Sequence, residues 1–284
     1  MHDPELIPFG LKLKRHGKKV IFDSHENYVA QIREKTYLNP IIRKTIAGAY
    51  KMFETYALKR FDAVVVPCSF DGINIFKGRA KKVSFIANYP TAENFASKYD
   101  PTIQKEFDIC YVGGLTESRG IGNLVEACGK ADCSLLLAGR FSDEAFEEKV
   151  KAMPGFKNVT YLGEIPNASI AREIQRSRIG ANPLLDVGQY HHIDTFGIKV
   201  YEYMAMGVPV LMPDYYYARE QIAEAKFGVC VDTGDTDAMA EAIKGMLQDE
   251  RALKEMGEIG RILVDARYNW KTQEELLLGL YEGL

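Results

Sequence analysis

Residues 194–202 combine the groups that bind a diphosphate and a ribose. Asp194 precedes a helical pattern, and Glu202 stands eight positions later, about two turns into that helix. We expect the backbone N–H groups of Phe196, Gly197 and Ile198 to point out of the helix N-terminus, where the helix dipole favours anions. A diphosphate would bind there, and Glu202 would accept hydrogen bonds from a ribose diol. The structural alternative makes Asp194 a helix cap and Glu202 a surface residue.

A second candidate follows an apolar strand pattern at residues 107–112. Gly113 and Gly114 come directly after it, and Arg119 stands five residues further on. A guanidinium binds phosphate bidentately, so Arg119 is a candidate diphosphate ligand. Arg140, after the next strand pattern, is a candidate for a second cationic contact. The Gly-Gly pair is also compatible with a simple tight turn.

His25 ends a strand pattern in the segment Phe22-Asp-Ser-His25. A histidine at a strand end in an α/β protein is a candidate site residue, although a structural capping role is the alternative. His191 and His192 are not expected to bind metal, because adjacent histidines diverge. Asp235-Thr-Asp237 imitates a metal motif, but its position at a helix start favours an N-cap. No metal and no cofactor are predicted.

Short apolar runs that alternate with helical patterns must position these residues. Such continuous apolar strands are typical of parallel sheets covered by helices on both faces. Ligands in such folds bind at the C-terminal ends of the strands. The sequence therefore predicts two α/β domains, with a cleft between them and a linker at residues 89–105. The predicted strands are 19–23, 63–67, 83–87, 107–112, 133–138, 159–162, 179–182, 208–212 and 228–231.

Positive charge is concentrated at the start of the chain. Residues 1–98 hold 17 Lys and Arg against 9 Asp and Glu, whereas the whole chain carries a net charge of −3. A helical pattern at 40–61 interleaves this charge with large apolar side chains, which favours peripheral contact with an anionic membrane. The alternative is that the apolar face belongs to the domain core. Its basic residues are Arg43, Lys44, Lys51, Lys59 and Arg60.

Composition indicates a globular protein in a reducing compartment. Hydrophobic residues make up 46% of the chain and charged residues 26%. The five cysteines contain no C-x-x-C pair, which favours reduced core residues over a disulfide framework or a zinc site. No membrane-spanning run and no signal-peptide pattern are found in the sequence. We therefore expect a cytoplasmic location, with the inner face of the plasma membrane as the site of any peripheral contact.

These segments resemble the retaining glycosyltransferases of family four, which have the GT-B fold of two Rossmann-like domains. Residues 194–202 are similar to the E-x7-E motif, in which the first acid contacts the donor sugar, the Phe-Gly backbone the sugar and diphosphate, and the second acid the ribose. Asp194 stands in place of the first Glu. Residues 111–120 resemble the segment whose two basic residues grip the diphosphate, with Gly114 in place of the Arg and Arg119 in place of the Lys.

The resemblance extends over nearly the whole chain. It implies that His25, like Asp194, acts in catalysis through contact with the donor sugar, and that the backbone near Ile165 meets the nucleobase. It also implies an N-terminal domain that lacks its first strands, at residues 1–95. A nucleotide-sugar-binding domain then spans 96–266, and a C-terminal helix at 267–284 packs back on the N-terminal domain.

The implied reaction moves a hexosyl unit from a nucleotide diphosphate sugar to an acceptor hydroxyl with retention, in polysaccharide or glycolipid assembly. The acceptor would be a saccharide or a lipid-linked molecule, and no nucleic-acid partner is expected. The residues by themselves are also compatible with two alternative functions. One is a sugar-nucleotide epimerase of the same fold, and the other is a non-catalytic fragment that binds nucleotide sugars.

Overall fold

The computed structural model describes residues 1–35, 37–91, 93, 95–188 and 190–284. The chain forms two compact units. Unit 1 contains Met1–Asn88, His192–Thr195 and Gln273–Leu284, and unit 2 contains Tyr89–His191 and Phe196–Thr272. The 194–202 segment is therefore divided, with Asp194 in unit 1 and Glu202 in unit 2.

Unit 1 is built on a parallel sheet with the strand order β1-β2-β3. Its apolar core lies between the sheet and the helices, because Phe22, Val64 and Val66 pack with Ile7 and Leu58. The strands are β1 (Ile21–Asp23), β2 (Ala63–Val66) and β3 (Val83–Phe85), and the helices are α1 (Ile7–Arg15), α2 (Tyr28–Glu34) and α3 (Pro40–Leu58), with a 3-10 helix at Pro4–Leu6.

Unit 2 contains a parallel sheet whose order is β6-β5-β4-β7-β8-β9. This is the order of a Rossmann fold, in which the connections reverse direction on either side of the first strand. The strands are β4 (Phe107–Val112), β5 (Leu135–Ala138), β6 (Val159–Gly163), β7 (Ser177–Ala181), β8 (Val210–Pro213) and β9 (Gly228–Val231).

Helices cover both faces of this second sheet. They are α4 (Ile121–Ala131), α5 (Glu144–Lys151), α6 (Asn167–Gln175), α7 (Ile198–Ala205), α8 (Tyr216–Ala225), α9 (Thr236–Gln248), α10 (Glu250–Ala266) and α11 (Trp270–Glu282), of which α11 continues into unit 1 from Gln273. Short 3-10 helices lie at Ala96–Lys98, Pro154–Asn158 and Tyr190–His192.

Alternate residues of the strands face the two layers of helices. Tyr111 and Leu137 pack into the core that contains α4 and α9, whereas Cys110 and Leu136 pack into the core that contains α6 and α7. Side chains of a strand point to opposite faces in turn, so a strand buried on both faces must be apolar throughout. This requirement explains why these strands could be recognised as continuous apolar runs.

The predicted fold class is confirmed. Each strand predicted from the sequence is present, with boundaries shifted by at most two residues, and the long helix predicted at 40–61 ends at Leu58. All five cysteines are free, and Cys230 alone is not fully buried. Among the residues that the structure describes, no helix combines the length and apolar character needed to cross a bilayer.

Candidate functional site

In unit 2, the ends of β4 and β5 expose backbone rather than side chains. Gly113 has φ +141° and Gly139 has φ +142°, which side-chain-bearing residues rarely adopt. A Cβ on Gly139 would lie 1.8 Å from the Gly113 carbonyl oxygen, so the two strand ends approach each other too closely for any side chain. In this strand order, β4 borders the point where ligands of Rossmann folds bind.

Two cations lie against the turn that Gly113 and Gly114 form. A Cβ on Gly113 would stand 3.1 Å from the Lys199 Nζ, and one on Gly114 would stand 3.0 Å from the Arg119 Nη1. Arg119 lies two residues before α4, and its Nη1 donates to the Gly114 carbonyl oxygen at 3.4 Å, whereas Lys199 lies in the first turn of α7. The predicted Gly113, Gly114 and Arg119 are therefore brought together.

The N-terminus of α7 differs in one respect from the sequence prediction. The Phe196 N–H donates to the Tyr201 hydroxyl at 3.2 Å, and the Phe196 side chain is buried. The prediction that this N–H points outward is wrong, because its hydrogen bond is made to the hydroxyl of Tyr201 within α7. Gly197 and Ile198 are exposed, and a Cβ on Gly197 would meet nothing within 4 Å. Their amides remain the candidates for a phosphate.

Glu202 and Lys199 are three residues apart on α7 and both are partly buried. Burial raises the pKa of Glu202 to about 7, although the nearby Lys199 opposes the shift. Burial and the nearby Arg119 lower the pKa of Lys199 to about 7, and Glu202 opposes that shift. Among the described residues, no hydrogen bond or salt bridge engages the Glu202 carboxylate, which leaves it as an acceptor for a ligand.

The remaining predicted residues of unit 2 follow neighbouring strands. Arg140 comes directly after Gly139 and is exposed, and its carbonyl accepts a hydrogen bond from the Leu115 N–H at 2.8 Å. Ile165 follows β6 and packs partly buried against the core. Both lie beyond the C-terminal ends of β5 and β6, where parallel neighbours share one edge.

In unit 1, the two predicted catalytic residues have different surroundings. His25 follows β1 and is 43% exposed, with its Nε2 3.5 Å from an Asp23 carboxylate oxygen. One carboxylate oxygen of Asp194 accepts hydrogen bonds from the Ser69 hydroxyl at 2.5 Å and the Gly72 N–H at 2.6 Å. Ser69 and Gly72 lie in the segment after β2, so Asp194 fastens residues 192–195 to the edge of unit 1.

Possible metal ligands occur in one group of the described residues. His2, Asp23 and His25 place their ligand atoms within 4.8 Å of one another, and the sequence prediction did not include His2. Asp235 accepts hydrogen bonds from the backbone N–H groups of Asp237 and Ala238, which confirms the helix cap at α9.

The adjacent histidines have separate partners. His191 Nδ1 lies 2.6 Å from Asp186, and His192 Nδ1 lies 2.7 Å from Asp71. The predicted divergence of their side chains is confirmed, because the two rings approach carboxylates of different segments.

Sequence reasoning missed Lys199. A signal was present, because Lys199 stands three residues before Glu202 and therefore on the same side of the helix. Its closeness to the Gly113–Gly114 turn could not be predicted from the sequence, because β4 and α7 are separated by more than eighty residues and come together only when the chain folds.

A Rossmann-type sheet with two cations, exposed amides and a carboxylate near its strand ends places the chain in the class of Rossmann-like α/β proteins with an edge suited to an anionic ligand. Residues 95–262 match the family described as glycosyl transferases group 1, and the chain belongs to this family.

Similar proteins agree with this assignment. The GDP-mannose-dependent alpha-(1-6)-phosphatidylinositol monomannoside mannosyltransferase of Mycobacterium tuberculosis is 28% identical over 186 residues, which cover 64% of this chain and 42% of that protein. The chain spans about half the length of the curated relatives it matches.

Two solved structures show the fold. Sucrose-phosphate synthase from Thermosynechococcus elongatus superposes with a TM-score of 0.75 at 20% identity, over 99% of this chain and 72% of that one. Anabaena HepE in complex with UDP superposes with a TM-score of 0.71 at 16% identity, over 98% of this chain and 82% of that one. The predicted GT-B fold is confirmed.

Proposed function

We propose that unit 2 binds a nucleotide diphosphate sugar and that the protein transfers the hexosyl unit to an acceptor hydroxyl with retention. The observation that carries the proposal is the edge of unit 2 where the bare Gly113–Gly114 turn and Arg119 lie at the end of β4. The α7 helix supplies two further groups, the exposed Gly197 amide and the carboxylate of Glu202, which has no donor among the described residues.

Transfer requires the bond between the sugar C1 and the diphosphate oxygen to break, and the electron pair leaves with the diphosphate. A new bond forms from the acceptor oxygen to C1, and the acceptor proton passes to the departing phosphate. Arg119 and the amides of Gly197 and Ile198 would stabilise the charge on the leaving group. Asp194 and His25 are proposed to contact the transferred sugar.

Related proteins support a glycolipid or polysaccharide product. The mannosyltransferase described above is named for GDP-mannose and a phosphatidylinositol mannoside, and HepE was solved with UDP. We propose a saccharide or lipid-linked acceptor on this basis and leave the donor base open. These names favour transfer over epimerisation.

The first test is binding of UDP, GDP and ADP measured by calorimetry in EDTA. We expect at least one of them to bind without a divalent metal, because the proposed site uses Arg119 and backbone amides in place of a metal ion. Loss of all binding on chelation would contradict metal independence. A variant with His2→Ala and His25→Ala then shows whether the histidine group of unit 1 holds that metal.

We also propose that α3 of unit 1 lies on an anionic membrane surface. Its buried residues are Ala47, Glu54, Ala57 and Leu58, so most of its large apolar side chains lie outside the core of unit 1. Glu54 is held by Arg79 at 2.5 Å, which fixes the inner face of the helix. Exposed apolar side chains on the helix are Ile41, Ile42, Ile46, Met52, Phe53 and Tyr56.

Co-sedimentation with vesicles tests the membrane proposal. Each Lys or Arg near an anionic surface contributes about 1 kcal/mol, so we expect binding to anionic vesicles that is lost in high salt and absent with neutral vesicles. Ile41→Glu with Met52→Glu should weaken it, because both side chains are 76% exposed. Ile262→Glu in unit 2, at 66% exposure, is the matched control. A protein that stays in the supernatant with anionic vesicles at low salt would refute the proposal.

A further inference from the structure

Lys199 and Arg119 bring two positive charges to one backbone turn from different elements. Lys199 projects from α7 and Arg119 from the residues before α4, and both contact the space that side chains on Gly113 and Gly114 would fill. Like charges held together in a partly buried place repel each other, and an anion between them relieves the repulsion. The arrangement therefore favours a ligand with more than one negative charge.

A neutral group holds Lys199 in position. The Lys199 Nζ donates to the Tyr111 hydroxyl at 2.5 Å and lies 3.7 Å from the centre of its ring. The same hydroxyl donates to the Gly114 carbonyl at 3.0 Å. Burial raises the pKa of Tyr111 to about 12, so the phenol stays protonated near neutral pH. Tyr111 thus orients the ammonium group without neutralising it.

A purely structural lysine in such a place would be expected to pair with a carboxylate. Across the described ranges, no salt bridge joins Lys199 or Arg119 to an Asp or Glu, although Glu202 is close enough to influence the pKa of Lys199. Arg140, the alternative second cation, is exposed, and its described contact is made by its backbone.

We propose that Lys199 donates directly to the diphosphate of the bound nucleotide and is the second cationic ligand beside Arg119. This inference rests on the proposed function and deepens it, because it assigns a residue of this chain to the contact that Gly114 cannot make. It also assigns selectivity, since two cations at one turn favour a nucleoside diphosphate over a monophosphate.

The test compares the affinities of UDP and GDP with those of UMP and GMP, by calorimetry in EDTA. Lys199→Met should lower diphosphate affinity about tenfold to a hundredfold, the scale of a hydrogen bond to a charged group, and change monophosphate affinity far less. Lys199→Arg keeps the charge and should retain most of the affinity. Lys244→Met, on the surface of α9, is the matched control, and Arg140→Met tests the rival cation.

The outcomes separate this inference from the function on which it rests. If the unmodified protein binds none of the nucleotides, the proposed function fails and the role of Lys199 fails with it. If the unmodified protein binds UDP or GDP and Lys199→Met binds equally well, or if only Arg140→Met weakens binding, the role of Lys199 alone is wrong. Should Lys199→Met not fold, Tyr111→Phe removes only the hydroxyl that orients the ammonium, and unchanged diphosphate affinity in that variant overturns the inference.

Discussion

Asp194 and Glu202 are the two acids of one short segment, but the fold treats them differently. In unit 1, one oxygen of Asp194 accepts hydrogen bonds from Ser69 and Gly72. In unit 2, the carboxylate of Glu202 has no such donors among the described residues, and burial raises its pKa to about 7. A carboxylate with protein donors contributes to folding, whereas one that is partly buried without donors costs stability until a ligand supplies them.

The two acids of residues 194–202 therefore differ in the roles that their surroundings favour. Asp194 fastens residues 192–195 to the loop after β2, where the Asp71 N–H also donates to the His192 carbonyl at 2.9 Å. Glu202 and Lys199 stand on α7, where burial shifts the pKa values of both side chains toward neutrality. Groups with perturbed pKa values in a cleft or at a strand edge are candidates for function. We therefore expect Asp194 to contribute to the stability of unit 1 besides its proposed contact with the sugar, and Glu202 to contribute mainly to the proposed ligand binding by unit 2.

The largest expected effect is on folding. Asp194→Ala should lower the free energy of unfolding of unit 1 by about 2–3 kcal/mol, because hydrogen bonds to a charged group contribute about 1.5–3 kcal/mol each and the Gly72 N–H can turn to water. Hydrogen exchange at residues 69–72 should rise. Ser69→Ala, which removes one donor, should show about half the loss. If hydrogen exchange and the free energy of unfolding are unchanged in Asp194→Ala, Asp194 does not stabilise unit 1 and does not differ from Glu202 in this respect.

Much of the fold could be predicted from the sequence. Strands such as β4 and β9 were predicted with the boundaries that the structure has, because a strand buried on both faces leaves an uninterrupted apolar run. The ends of other elements could be predicted less closely. For example, β7 begins at Ser177 with two polar residues, whereas the apolar pattern begins only at Ile179. The order of the strands in each sheet could not be predicted from apolar runs or from hydrophobic periodicity, because it depends on pairing between distant segments of the chain.

The candidate site could be predicted only in part. Gly113, Gly114, Arg119, Gly197 and Glu202 stand in short segments whose local pattern indicates a turn or a helix start. Two further facts depend on contacts made after folding. The Phe196 N–H is used by Tyr201, which lies one turn along the helix, and Lys199 reaches Tyr111 on a distant strand. Neither contact has a pattern in the sequence that would have predicted it.

The second expected effect is on binding. Glu202→Ala should weaken UDP or GDP binding by about 1–3 kcal/mol, the scale of hydrogen bonds lost to a charged group. It should not destabilise unit 2, because a partly buried carboxylate without donors is removed.

The partner of Glu202 can be identified with a dideoxyribose nucleotide in a double-mutant cycle. If Glu202 binds the ribose, removing the hydroxyls should cost little further affinity in Glu202→Ala. Glu241→Ala, on the exposed side of α9, is the control. Equal discrimination between ribose and dideoxyribose in the variant and the unmodified protein would show that Glu202 is not the ribose ligand.

The smallest expected effect is a change of nucleotide affinity with pH, which distinguishes the contribution of Lys199 from that of Glu202. Lys199 has a pKa of about 7 in the free protein, and a bound diphosphate would raise it. Affinity due to Lys199 is therefore complete below pH 7 and falls, by at most about tenfold per pH unit, as the pH rises above it. Glu202 acts in the opposite direction, because ribose hydroxyls would lower its pKa from about 7, so its contribution is lost as the pH falls below 7.

The affinity for a nucleotide diphosphate sugar should consequently pass through a maximum near pH 7. Such a donor suits the measurement because it lacks the secondary phosphate ionisation at about pH 6. Within the described part of the chain, Lys199 is faced by Tyr111 on β4, Arg119 before α4 and Glu202 on α7, and the pKa of Glu202 lies in the same range as that of Lys199. Lys199→Arg should abolish the alkaline fall and keep the acidic one, while Glu202→Gln should do the reverse. A pH profile that is flat between 6 and 8 in the unmodified protein would mean that neither side chain changes its protonation when the donor binds.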